Sequence, residues 1–199
     1  MSVTVKAPEI EEHKTFVNYK KRPRTKYLVV HCSATQPKAS FNWKTIDQMH
    51  RQNGWLGIGY HFVICTDGTI QRGRPMDVVG AHVSGHNEDS VGICLIGGVD
   101  SRGKSVDNFT DEQKSSLRGL LDYLRWYYKD EVTVCGHRDF PNVHKDCPCF
   151  DVKSWYGEGA VYTVYSGEES LKKALRVSKV DFEALNGTDI EVGDLVRVG

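Results

Sequence analysis

The sequence predicts an α/β domain with a central mixed β-sheet flanked by helices, followed by a small βααβ module. Three observations predict it. Short apolar runs of strand type alternate with stretches of helical spacing along the first three-quarters of the chain. One run, Ser90 to Ile96, is apolar nearly throughout, as in a strand covered on both faces. Thr110-Asp-Glu-Gln113 is a capping box, the start signal of a helix.

Residues 1–24 read as an irregular, flexible basic arm. Lys14, Lys20, Lys21, Arg22, Arg24 and Lys26 cluster ahead of the first apolar run, as in a solvated arm or a contact for an anionic partner. Tyr27 to His31 is the first strand, broken by His-Cys-Ser-Ala-Thr and Pro37. Trp43, Ile46, Met49 and His50 recur at helical intervals, so a helix is expected over 43–53 with Gly54 at its C-terminal end. Gly59 to Cys65 is a second strand, Thr66-Asp-Gly68 a turn, and Thr69 to Arg74 its hairpin partner. A polar loop holding His82 and His86 precedes the strand at Ser90, and a loop rich in Gly and Asp follows it over 97–109. Leu117, Leu120, Leu121, Leu124 and Tyr128 form the apolar stripe of the helix opened by Thr110. Val132 to Cys135 is a short strand, and Asp151 to Tyr156 one or two helical turns. From Val161 onward the pattern becomes strand, helix, helix, strand.

The 199 residues suffice for one domain with a real core and a small appendage. The formal net charge is zero, so whole-molecule electrostatics point neither to nucleic acid nor to a membrane surface. The first 14 residues lack an apolar leader, and no run approaches 18 apolar residues. The expectation is a soluble monomer made in the cytoplasm, which needs another agent to reach any target beyond the membrane. Of six cysteines, Cys32, Cys65, Cys94 and Cys135 sit in apolar runs, where free thiols behave as small buried hydrophobes.

The stretch most in need of a reason is Cys135 to Asp151, which packs His137, His144, Lys145, Cys147 and Cys149 into one proline-punctuated loop. Imidazole and thiolate suit a borderline-soft ion such as Zn2+. The spacing matches no HExxH or paired CxxC pattern, so the loop alone reads first as a polar loop with two buried thiols, with a metal site or a Cys/His nucleophile pair as alternatives.

Five motifs in order, VVHCSAT, GWLGIGYHFVI, DGTIQRGR, GAHVSGHNEDSVGICLIGG and HRDFPNVHKDCPCFD, resemble the zinc-dependent N-acetylmuramoyl-L-alanine amidases of the bacteriophage lysozyme type. That family is related to the peptidoglycan recognition proteins. The likeness spans about Thr25 to Trp155 and implies a catalytic domain over 25–158. It implies His31, His137 and Cys147 as zinc ligands, Tyr60 and Lys145 as catalytic residues, and His82 and Asn87 as substrate-groove residues. Cys149 and His144 stay open as substitutes for Cys147. His61, alternating with Tyr60, faces the other side of the sheet and reads as structural. The implied reaction is hydrolysis, by zinc-activated water, of the amide between N-acetylmuramic acid and L-alanine in bacterial peptidoglycan, the work of an endolysin. Two alternatives share the fold: a non-catalytic peptidoglycan recognition protein, and an amidase that also inhibits a phage RNA polymerase, partly through its N-terminal arm.

Residues 160–199 are similar to the LysM carbohydrate-binding module at Tyr162, Val164, Gly167, Leu171, Ala174, Val177, Leu185, Asn186, Gly193 and Leu195. They depart from it in carrying one residue more before Leu171 and in an unusually basic first helix. The likeness implies a wall anchor that concentrates the enzyme on an insoluble substrate.

Overall fold

A computed structural model describes residues 7–12, 17–129, 131–157, 161–163 and 195–197. β1 (Tyr27–Cys32), β2 (Phe62–Ile64), β3 (Ile70–Arg72), β4 (Ser90–Leu95) and β5 (Thr133–Gly136) form one sheet in the order β3-β2-β4-β1-β5. β2, β4, β1 and β5 run parallel, and β3 returns antiparallel to β2 through the predicted hairpin. The sheet is therefore mixed, with β1 bonded on both edges.

Pleating sends alternate residues of β1 to opposite faces. Leu28 and Val30 pack with Phe62, Ile64, Ile93 and Leu95 against α2 (Asp111–Tyr127), which contributes Leu117, Leu120, Leu121 and Leu124. Val29 faces the other side with Val83, Cys135 and Phe140. On that side α1 (Trp43–Gln52) covers Val63 and Ile96 through Ile46. All six residues of β4 are buried, as its continuous apolar run requires.

The helix starts follow local chemistry. Thr110 caps α2, and the Gln113 side chain closes the box by accepting from the Thr110 amide. The same buried Gln113 donates through Nε2 to the Ile64 and Ile96 carbonyls, tying α2 to the ends of two strands. α1 is capped by Asn42, and Gly54 follows it at φ +82°, in the left-handed region expected of a residue just past a helix. Met49, although at helical spacing from Ile46, is exposed, because only the Ile46 side of this short helix meets the sheet. β2 is shorter than Gly59 to Cys65. Gly59 and Tyr60 instead accept from the amides of Ala81 and Arg74, and a Cβ on Gly59 would sit 2.2 Å from the Ala81 oxygen.

Where it is described, at residues 7–12 and 17–26, the segment before β1 differs from the solvated arm expected. Glu11 bridges to Gln71 beside β3, and Lys21 to Val78. The Arg22 guanidinium turns inward and donates to the carbonyls of Met76 and Val78 and to the Tyr128 hydroxyl, at 2.6 to 2.9 Å. Lys20, in contrast, stays on the surface and pairs with Glu88.

α3 (Val152–Gly157) supplies the predicted last turns of the domain. Beyond it, β6 (Val161–Thr163) pairs antiparallel with β7 (Leu195–Arg197). The two helices expected between them, and with them most of the LysM-like stretch, lie outside the described residues. Among the described residues no helix is long and apolar enough to cross a membrane.

Candidate metal centre

Parallel pairing of β1 with β5 sets Val30 opposite Gly136, so the residues after them, His31 and His137, leave the same edge of the sheet. This is the C-terminal edge of the parallel strands, where open α/β sheets build their sites. His137 opens a 3-10 turn, held by the Gly136 amide donating to the Asp139 carboxylate. The loop returns to bring Cys147 back, anchored by the Arg138 amide on the Cys147 carbonyl. One ligand-grade atom from each of His31, His137 and Cys147 lies within 4.8 Å of the other two. His31 Nδ1 is 3.8 Å from Cys147 Sγ, and the two imidazole rings are 4.6 Å apart.

The donor set fits a zinc ion. Burial, reinforced by His82 and His137, drives the pKa of His31 well down, and burial followed by the Lys145 charge lowers that of His137. Both rings are therefore neutral at pH 7, the form in which imidazole binds metal. Cys147 Sγ accepts the backbone N–H of Cys32 at 3.3 Å, which holds the sulfur beside His31. Two imidazoles and one thiolate leave a tetrahedral ion one open position.

Tyr60 stacks beside this cluster, its ring 5.1 Å from that of His31. Burial, with the thiols of Cys94 and Cys147 nearby, raises its pKa well above the ordinary value, so the hydroxyl keeps its proton. His61, expected on the face away from Tyr60, lies on the same side of the sheet behind His82, the two rings 5.6 Å apart, with Nδ1 accepting the Gly92 amide. The regular strand begins only at Phe62, so strict alternation does not reach Tyr60. Beside the cluster opens a cleft of about 410 Å³, bordered by Trp55, His82, Asn87, His137 and Lys145. Lys145 is exposed on its rim.

Two expected groove residues turn mostly inward. His82 is buried, with Nδ1 3.0 Å from His31 Nε2. Asn87 spends its carbonyl oxygen on the amides of His82 and Val83, which shapes the loop rather than leaving that atom for a ligand. Cys149 points away from His31, its thiol donating to the Gly98 carbonyl at 3.1 Å, and burial pushes its pKa up to about 12. His144 borders the cleft but is not in the cluster. Trp55 went unremarked in the sequence. It stacks on His50 at 4.5 Å and leaves an indole face exposed on the cleft wall. A tryptophan just past a helix-ending glycine was the available signal.

Residues 20–150 match the family described as N-acetylmuramoyl-L-alanine amidase. The chain belongs to that family. The endolysins of Enterobacteria phage K11 and Escherichia phage T7 are 44% and 43% identical to it over 147 residues, 74% of this chain and 95% of each relative. Among solved structures, the endolysin N-acetylmuramoyl-L-alanine amidase LysCS of Clostridium intestinale matches with a TM-score of 0.63 at 31% identity, covering 74% of this chain and 91% of that one. The match takes in all five strands of the amidase sheet and the whole histidine and cysteine cluster, and ends before β6.

Proposed function

We propose that this chain is an endolysin that hydrolyses the amide bond between N-acetylmuramic acid and L-alanine in bacterial peptidoglycan. His31, His137 and Cys147 would hold its zinc. The observation that carries the reading is the convergence of these three donors at the open end of the sheet, beside a cleft that carries a lysine. Zinc held there supplies Lewis acidity toward the scissile carbonyl and makes water a usable nucleophile at neutral pH.

The protein's own groups do the rest. The Lys145 ammonium stands over the cleft, where it can hold the negative charge that develops on the carbonyl oxygen. Tyr60 keeps its proton and can donate it as a hydrogen bond to the same oxygen or orient the attacking water. Trp55 offers an apolar wall against which a sugar or peptide face can lie. Residues 160–199 are read as a LysM-like module that binds glycan and keeps the catalytic domain at the wall.

Digestion of purified peptidoglycan, with free L-alanine amino groups and reducing ends followed in parallel, tests this. New amino groups without reducing ends, abolished by a chelator and restored by zinc, are expected. Reducing ends would make the protein a glycosidase. Binding without release of either would move it to the recognition class.

A further inference from the structure

Only one ring nitrogen of His31 faces the cluster. Nδ1 is 3.8 Å from Cys147 Sγ, whereas Nε2 is 3.0 Å from His82 Nδ1. A ring nitrogen that carries a proton cannot ligate a metal, so the tautomer of His31 decides whether Nδ1 has a lone pair to give.

The neighbours dictate that tautomer. Ser90 Oγ is hydrogen-bonded to the His86 carbonyl oxygen, which has no proton, so the serine hydroxyl is the donor there. Its lone pairs remain for His82 Nε2 at 3.4 Å, so His82 carries its proton on Nε2. His82 Nδ1 is then bare and accepts from His31 Nε2–H. The Nδ1 lone pair of His31 is left facing Cys147. Ser90 is fully buried, and His31 and His82 are nearly so. The space is made for this purpose by two glycines. A Cβ on Gly80 would come within 2.4 Å of the His82 ring, and one on Gly92 within 2.6 Å.

We propose that Ser90 and His82 are positioning residues, a two-step hydrogen-bond relay that locks His31 in its Nε2–H tautomer and aims Nδ1 at the metal. The inference rests on the reading of His31 as a ligand. It also reassigns His82, expected at the substrate groove, to the support of the centre. Metal-bound histidines commonly lean on a carboxylate. A neutral imidazole orients the ligand equally well without cancelling part of the ion's charge, which leaves more of it to act on a carbonyl.

The test pairs long-range 1H–15N spectra of the metal-free full chain with zinc affinity, measured by competition against a chromophoric chelator. Wild-type His31 is expected as the Nε2–H tautomer. Ser90→Ala and His82→Phe should populate the other tautomer and weaken zinc binding about 10- to 100-fold. His82→Gln, whose amide can accept from His31 and donate to Ser90, should restore most of the affinity. A wild-type His31 protonated on Nδ1 overturns the relay, as does native zinc affinity in both disruptive variants. Where a variant does not fold, the wild-type spectrum decides alone. A wild-type chain that binds no zinc sinks the ligand reading, yet the metal-free spectrum still judges the relay.

Discussion

Lys145 and His61 show how differently two polar residues near one site can serve it. Lys145 is exposed and outside the donor cluster, so its removal should leave the three donors in place, ease the charge on His137 and bear chiefly on the chemistry. Lys145→Ala is expected to lower kcat about 100- to 1000-fold, the scale of losing one oxyanion donor. Zinc affinity by chelator competition should stay native; a parallel loss of zinc would remove Lys145 from the oxyanion role. His61 is fully buried, with Nδ1 accepting from the Gly92 amide and Nε2 3.0 Å from the Val78 carbonyl, the pattern of a neutral ring protonated on Nε2. A second proton would break the Gly92 bond and set a cation 3.1 Å from the Arg22 guanidinium. Burial above all, with His82 and Arg22 adding to it, holds its pKa well below 6.5. The unfolded chain therefore binds a proton that the folded chain refuses as pH falls below 6.5. Stability is full above that pH and drops below it by about 1.4 kcal/mol per pH unit from this residue. Urea unfolding of metal-free protein between pH 7.5 and 5.5 should show the slope, and His61→Gln should flatten it by one proton.

At the scale of elements, the described residues before β1 behave as part of the domain. Arg22 donates to two loop carbonyls and to Tyr128 at the end of α2, so it clamps three pieces of chain. Arg22→Ala is expected to cost about 2–3 kcal/mol, since it strands buried acceptors of a charged donor. Arg22→Lys, which lacks the planar fork, should recover only part. Thermal melting checks both, and a native midpoint for the alanine variant would return the segment to a loose arm. Any study of polymerase binding by this segment is better done with charge reversals at Lys20 and Lys21 than by deletion, which would remove Arg22 too. The same case marks what the sequence could and could not disclose. α2 was legible because its signals are local: a Thr110 cap, Gln113 three residues on, and leucines at helical spacing. β4 was legible because, after Ser90, its run carries no polar side chain. Arg22 was not, because one inward arginine in a basic run looks like its solvated neighbours. Nor was the contact between His31 and His82, which lie 51 residues apart and meet only through the sheet. The grouping of His31 with His137 and Cys147 came from family likeness, since no local spacing joins them.

For the molecule as a whole, the order of strands in the sheet is also an order in time. β1 emerges early from a ribosome and carries one donor of the three, but its partner on one edge, β5, comes 106 residues later at the level of His31 and His137. A nascent chain that ends after α2 already owns β1, β2, β3 and β4, a helix to cover them, Tyr60 and the Ser90–His82 pair. It holds a single histidine at the centre. The second and third donors arrive only when β5 zips onto the last free edge of β1 and its trailing loop folds back. On the proposed reading of the centre, completion of the sheet opens the arming step, and a fragment of this chain that ends before His137 holds one of the three donors.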